Sequence, residues 1–319
     1  MVMLAVGFEE PGGPEVLRGV EVPEPHAGAG EVRIRVEAAT VNPSDVVTRS
    51  GQAHDRYRDV EPPYVPGWDA AGVIDETGPG SSWRVGDRVV AVTKPVLEGG
   101  GAYAERIVVS DDSVAPIPEG ADMVAAATLP MNGLTARIAL DAIGSARTVA
   151  VTGAAGAVGG YVVQLAKHAG LTVLADASAA DRQLVEDLGA DIVVERGSDV
   201  ARRIREHFPS GVDAVIDGAL LGAAVLPAVR DNGSYVALRP PVLTGGVESE
   251  RGIDLDYVMV TDHVRDSAAL RELSRLAGEG VLTLRVARTF PAEQAAEAHR
   301  LLEAGGVRGR LVLVFRHPR

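Results

Sequence analysis

The sequence predicts an α/β protein of two domains: a β-rich unit, and a doubly wound parallel sheet flanked by helices. Two observations predict it. At 319 residues and 46% hydrophobic the chain exceeds what one ordinary core uses, on a prior of about 150 residues per domain. The hydrophobic period also changes once, from strand-like alternation before about Pro118 to apolar strands alternating with helical segments after about Asp122.

The elements follow in order. In the first part "EVRIRVEAA" sets Val32, Ile34 and Val36 against charges, and "DRVVAV" and "YAERIVV" are similarly short and β-branched, broken by Gly and Pro. Such text predicts a twisted, mainly antiparallel unit. In the second part the strands are Val149–Thr152, Thr172–Ala175, Ile192–Val194, Ala214–Asp217 and Ser234–Leu238, with helical segments between. Strand, helix, strand in repetition means parallel pairing. After Thr261 come a helix, the strand "LTLRVARTF", a second helix with Pro291 near its start and Gly305 just past its end, and the closing strand "RLVLVF".

Composition excludes several functions. A formal net charge of -13 repels nucleic acid and anionic lipid, because phosphate binding depends on clustered Lys and Arg. With no cysteine there is no disulfide, thiolate metal site or thiol nucleophile. The N-terminal "MVMLAVGFEEPGG" reaches Glu9 and Glu10 before its apolar run attains signal-peptide length, and no run approaches the roughly 20 apolar residues of a membrane helix. The expectation is a cytoplasmic protein with a small soluble partner.

The stretch "VAVTGAAGAVGGYVVQLAKHAG" carries the chemistry. Val149–Val151 is a buried-strand run, a turn follows at once, and Val158, Val162, Leu165 and Ala169 then share one helical face. In a strand, turn, helix unit the small residues let backbone approach a pyrophosphate, and the N–H groups at the helix start bind its charge. The pattern is Gly153-x-x-Gly156-x-x-Gly159, looser than the strict fingerprint, and a tight turn without a ligand is the alternative. The next strand, "TVLADAS", ends at Asp176. A carboxylate there hydrogen-bonds the adenosine ribose hydroxyls and repels a 2′-phosphate, which favours NAD over NADP. Alternatively Asp176 caps the following helix, a task open equally to Ser178 or Asp181. Arg182 is placed to fold back over a 2′-phosphate.

The blocks "VNPSDVVTRSG", "PYVPGWDAAGVI", "VGDRVVAV", "GAYAERIVV", "AAATLPMNGLTAR", the glycine turn, "LGAD" and "GVRGRLVLVF" occur in an order that resembles the medium-chain dehydrogenase/reductase superfamily. The resemblance implies a GroES-like catalytic domain from residues 1–121 and 262–319, with a Rossmann domain at 122–261. In the alcohol dehydrogenase branch a catalytic zinc is usually held by a cysteine and by the histidine of a Gly-His-Glu block. Here that block reads Gly67-Trp68-Asp69, and "TKPVLEGGGAY" is too short for a structural-zinc lobe. The resemblance therefore falls on the zinc-free branch of quinone oxidoreductases and enone or enoyl reductases, and Asp69 is expected to be structural.

That branch implies NADH or NADPH as cofactor, without metal or flavin. An alcohol or ketone needs a Lewis acid for a localised alkoxide, whereas hydride added to an enone or quinone leaves charge delocalised onto oxygen. The enzyme's main task is then alignment in a dry cleft between the domains. By resemblance Asn42 and Thr135 sit near the nicotinamide. Ala155, Gly156, Ala157 and Val158, between Gly153 and Gly159, cradle the pyrophosphate. Asp176 and Ser178 lie at the ribose, while Gly218, Ala219 and Leu238 follow the fourth and fifth strands. Many quinone reductases carry a tyrosine where this chain has Val47; Tyr64, or His54 and Tyr57, are substitutes unless they only pack. Asp45 reads as a turn or capping residue, and His168 and His299 as partly exposed helix residues. The expected activity is reduction of a quinone or α,β-unsaturated carbonyl. Alternatives are an enoyl reductase or tailoring enzyme of a biosynthetic pathway, and an inactive dinucleotide-binding protein. A homodimer is expected, pairing through "IDLDYVMV".

Overall fold

A computed structural model describes residues 1–95, 100–249 and 251–316. In chain order the elements are β1 (Val2–Gly7), β2 (Arg18–Pro23), β3 (Glu31–Thr40), α1 (Pro43–Arg49), β4 (Asp69–Thr77), β5 (Arg88–Val92), β6 (Arg106–Ser110), β7 (Val114–Pro116), α2 (Met123–Ala126), α3 (Pro130–Ala142), β8 (Thr148–Thr152), α4 (Ala157–His168), β9 (Thr172–Ala177), α5 (Arg182–Asp187), β10 (Ile192–Glu195), α6 (Val200–His207), β11 (Val212–Asp217), β12 (Val229–Ala237), α7 (Pro241–Thr244), β13 (Asp254–Tyr257), α8 (Ser267–Gly278), β14 (Val286–Pro291), α9 (Ala295–Ala304) and β15 (Arg310–Val314). They divide into two compact units. One comprises Met1–Met131, Thr261–Gly280 and Leu284–Arg319, the other Asn132–Val260 and Val281–Thr283.

The first unit is the mainly antiparallel one. Its seven-stranded sheet runs β14-β15-β3-β4-β5-β7, with β6 also paired to β3, and β1-β2 form a separate ribbon. Along β3 the alternation in "EVRIRVEAA" is realised, since Val32, Ile34 and Val36 are fully buried while the intervening charges are partly exposed. Among its described residues only β14 and β15 pair in parallel. The first helical text after Asp122 stays with this unit because α2 packs on β3 and β4, and Asp122 caps it by accepting from the Ala125 N–H at 2.8 Å. The division therefore falls between Met131 and Asn132 rather than at 121.

The second unit is a six-stranded sheet in the order β10-β9-β8-β11-β12-β13, parallel throughout. This is the doubly wound order whose strand direction of growth reverses between β8 and β11, where such sheets bind ligands at the strand C-termini. Residues 281–283 return to this unit because Gln164 donates to the Thr283 hydroxyl at 2.8 Å and accepts from its N–H at 3.1 Å. Three local expectations change. Ala169 caps α4 and is exposed, Pro291 ends β14 rather than opening α9, and "LTLRVARTF" forms a strand only from Val286. Gly305 does follow α9, at φ +75°, where a residue without Cβ is favoured. Among the described residues no helix is long and apolar enough to cross a membrane.

Candidate active site

The Gly153–Gly159 turn joins β8 to α4 at the C-terminal edge of the parallel sheet. Gly153 has φ +68°, and a Cβ on Gly159 would lie 2.3 Å from the Gly153 carbonyl oxygen, so both positions require glycine. Gly156 differs. It is the N-cap of α4 at φ -69°, and a Cβ there would meet only the Gly153 oxygen, at 3.0 Å. The N–H groups of Ala157, Val158 and Gly159 occupy the first turn of α4, where no intrahelical carbonyl is available. With Ala155, these residues form a cradle of backbone donors suited to a pyrophosphate. Gly218 and Ala219 pack directly against it, since a Cβ on Gly153 would lie 3.0 Å from the Ala219 nitrogen. Leu238 lies just past β12, its N–H donating to the Asp217 carbonyl at 3.4 Å.

Asp176 is brought to the same place, with partners the sequence did not indicate. Its Oδ1 accepts from the Gly153 N–H at 2.7 Å and the Ala154 N–H at 3.4 Å. Burial raises its pKa, opposed by those amides and by the Arg196 guanidinium. The helix-capping reading is therefore replaced by a clamp on the glycine turn. Ser178 donates to Asp181 at 2.6 Å, and Arg182 is engaged by the Val193 carbonyl at 2.9 Å. Thr135 is buried within α3.

In the first unit Asn42 is buried at the start of α1 within a polar network. Its Nδ2 donates to Asp69 Oδ2 at 2.8 Å, and its Oδ1 accepts from Arg310 at 2.8 Å. Asp69, fully buried, also accepts from the Thr40 hydroxyl at 2.6 Å, the Met131 N–H at 2.5 Å and Arg310 at 3.0 Å. Arg310 donates to Thr40 as well. Asp69 is structural in this arrangement, with four hydrogen-bond donors on its carboxylate and a fixed cation beside it. A zinc ion does not fit here: Trp68 offers no ligand, and Asp69 already faces a guanidinium. Among the described residues no group of three or more His, Cys, Asp or Glu is placed to hold a metal. Residues 96–99, inside the segment judged too short for a zinc lobe, lie outside the described residues.

Tyr64 is buried in a ring cluster with Phe8, His54 and Tyr57, its centroid 4.8 Å from that of Tyr57. Tyr57 donates to the Thr48 carbonyl at 2.6 Å. These rings pack against one another. Asp45 is a capping residue and more: it accepts from the Asn42 N–H at 2.8 Å, the Gly67 N–H at 2.9 Å and the Tyr103 hydroxyl at 3.3 Å. His299 corrects the expectation of partial exposure. It is fully buried on α9, 3.2 Å from the Tyr103 oxygen. Arg310 and Tyr103 were missed as members of these networks; an arginine directly heading the apolar "LVLV" run was the available signal for the first.

Burial pushes the Asp45 carboxyl up to about 7, and burial with repulsion from Arg49 drops the His299 imidazole to about 3. Their linkages oppose each other. Between pH 3.8 and about 7 the folded chain keeps an Asp45 proton that the unfolded chain releases, so stability falls as pH rises. Between about 3 and 6.5 the unfolded chain binds a His299 proton that the folded chain refuses, so stability rises with pH. Asp45→Asn removes only the falling part. Urea unfolding of the variant between pH 4 and 6 is expected to show a slope more positive than wild type by up to about 1.4 kcal/mol per pH unit. Parallel profiles would show that Asp45 titrates normally.

The alcohol dehydrogenase GroES-like domain family matches residues 28–119, and the zinc-binding dehydrogenase family matches residues 188–313. The chloroplastic quinone-oxidoreductase QR1 of Triphysaria versicolor is 30% identical over 98% of each chain, and a human quinone oxidoreductase is likewise 30% identical over 98% of each. This chain belongs to the medium-chain dehydrogenase/reductase superfamily, in its quinone oxidoreductase-like branch. Among solved members, a mycobacterial protein complexed with NADPH superposes with TM-score 0.83 at 31% identity, covering 98% of this chain and 99% of the other.

Proposed function

We propose that this chain is a metal-independent, NAD(P)H-dependent oxidoreductase that reduces a quinone or an α,β-unsaturated carbonyl. The observation that carries the reading is the donor cradle of Ala157, Val158 and Gly159 at the head of α4, with Gly153 and Gly159 unable to carry side chains. When bound, the nicotinamide supplies a hydride. The chain's residues hold the pyrophosphate on that cradle, and Asp45 fixes the backbone of Asn42 beside the Asp69–Arg310 pair. Support comes from relatives named quinone oxidoreductase and from an Arabidopsis thaliana NADPH-dependent alkenal/one oxidoreductase, 29% identical over 98% of this chain. Oxidation of NADH or NADPH by chelator-treated protein, across a panel of quinones and enones, tests it. Binding without turnover of any acceptor would leave a dinucleotide-binding protein, and a zinc requirement would overturn the metal-independent reading.

For the cofactor, the carboxylate of Asp176 beside the turn favours a ribose without 2′-phosphate. NADH is therefore expected to be used at least as well as NADPH, and Asp176→Ser to shift preference toward NADPH by about tenfold. The check is kcat/KM for both cofactors in both proteins. Strong NADPH selectivity in wild type, unchanged in the mutant, would leave Asp176 as a clamp of the turn only.

We also infer a homodimer. β13 is the last strand of the sheet, and its residues are exposed, Leu255 and Tyr257 included. A second copy pairing at this edge covers them. Light scattering is expected to give twice the chain mass; a monomer at all concentrations rules the pairing out.

A further inference from the structure

We propose that Thr152, Asp217 and Tyr235 act as positioning residues for the dinucleotide site, by holding the Gly218–Gly222 loop in a backbone conformation it would not otherwise keep. The inference rests on the dinucleotide reading of the Gly153 turn and adds three side chains to which that reading gives no part. Asp217 ends β11 and is fully buried. Its Oδ1 accepts from the Thr152 hydroxyl at 2.5 Å, and its Oδ2 accepts from the Gly222 N–H and the Tyr235 hydroxyl, each at 2.8 Å. The Thr152 oxygen in turn accepts from the Ala219 N–H at 3.1 Å. One carboxylate thus fastens two amides of the loop to three adjacent strands, β8, β11 and β12.

The loop needs this restraint. Leu220 has φ +57°, in the left-handed region that a residue with a Cβ adopts only when its surroundings impose it. The loop is also back to back with the glycine turn. A Cβ on Gly218 would lie 2.7 Å from the Thr152 carbonyl oxygen, and one on Gly153 would lie 3.0 Å from the Gly218 carbonyl carbon. Movement of the loop therefore moves the floor under the pyrophosphate cradle. Both lie at the β8/β11 reversal of the sheet, where ligands of doubly wound folds bind. A buried aspartate in such a place has no need to touch the cofactor. Its effect passes through the fraction of molecules whose loop is in place, and the apparent Kd rises as that fraction falls.

Thr152→Val keeps the shape and removes the hydroxyl that both donates to Asp217 and accepts from Ala219. Thr152→Ser keeps the hydroxyl. Dissociation constants for NADH and NADPH are measured by fluorescence titration, with kcat at saturating cofactor and Tm alongside. Thr152→Val is expected to raise Kd and the cofactor KM about tenfold while kcat at saturation stays within about twofold, and Thr152→Ser to restore both. A lowered Tm with unchanged Kd, or a serine variant no better than valine, overturns the proposal. If the valine variant does not fold, Tyr235→Phe, which removes one donor from Asp217, is expected to raise Kd about threefold; an unchanged Kd overturns it. Failure of wild type to bind either dinucleotide overturns the underlying reading as well, and the wild-type titration alone reveals it.

Discussion

Gly156→Asp is expected to cripple dinucleotide binding while the protein stays folded. Position 156 has φ -69°, open to any L-residue, and its Cβ meets a single oxygen at 3.0 Å, a contact relieved by a few tenths of an ångström. Aspartate is also a favoured N-cap, so α4 is not weakened. Its carboxylate, however, takes the N–H groups at the helix start and opposes a pyrophosphate arriving there. Affinity is expected to fall about 100-fold or more, ~2.7 kcal/mol, with the melting temperature held near wild type. Gly159→Ala is the contrasting variant. Its Cβ would lie 2.3 Å from the Gly153 oxygen, so it disrupts strand-to-helix packing and lowers stability. Undiminished affinity in Gly156→Asp would remove the site from this turn.

Arg310→Met produces the largest loss of stability expected in the first unit. Arg310 is 4% exposed, and its guanidinium supports Asp69, Asn42 and Thr40 together. Removing one member of a buried pair leaves the other charge uncompensated, which costs about 3–5 kcal/mol. Denaturant unfolding measures it. The double variant Asp69→Asn, Arg310→Met is expected to recover much of the loss, since neutralising both partners removes the orphaned charge. A single-variant loss below about 1 kcal/mol would mean that Thr40, Asn42 and the Met131 amide satisfy Asp69 unaided.

What was legible in the sequence was periodic or local. The alternation of Val32, Ile34 and Val36 and the strand, turn, helix grammar around Gly153 depend on neighbours within a few residues, and both elements form where expected. What escaped depends on distant partners. His299 sits in helical text with nothing nearby to mark it, and the partner of its buried ring, Tyr103, is 196 residues away. Asp176 was placed at the strand end, but its attachment to the Gly153 amide spans 23 residues and a sheet register that no local pattern states. The unit boundary moved for the same reason, because α2 is helical by period yet belongs by packing to the sheet beneath it.

The most direct measurement of the central claim follows deuterium from NADH or NADPH, labelled in turn on each face of nicotinamide C4, into an α,β-unsaturated ketone that the protein reduces. The enzyme is first stripped with a chelator. The account predicts label from one face on the β-carbon of the saturated product, at the rate of untreated enzyme. Product without label from either face, or turnover that returns only when zinc is added, would contradict it.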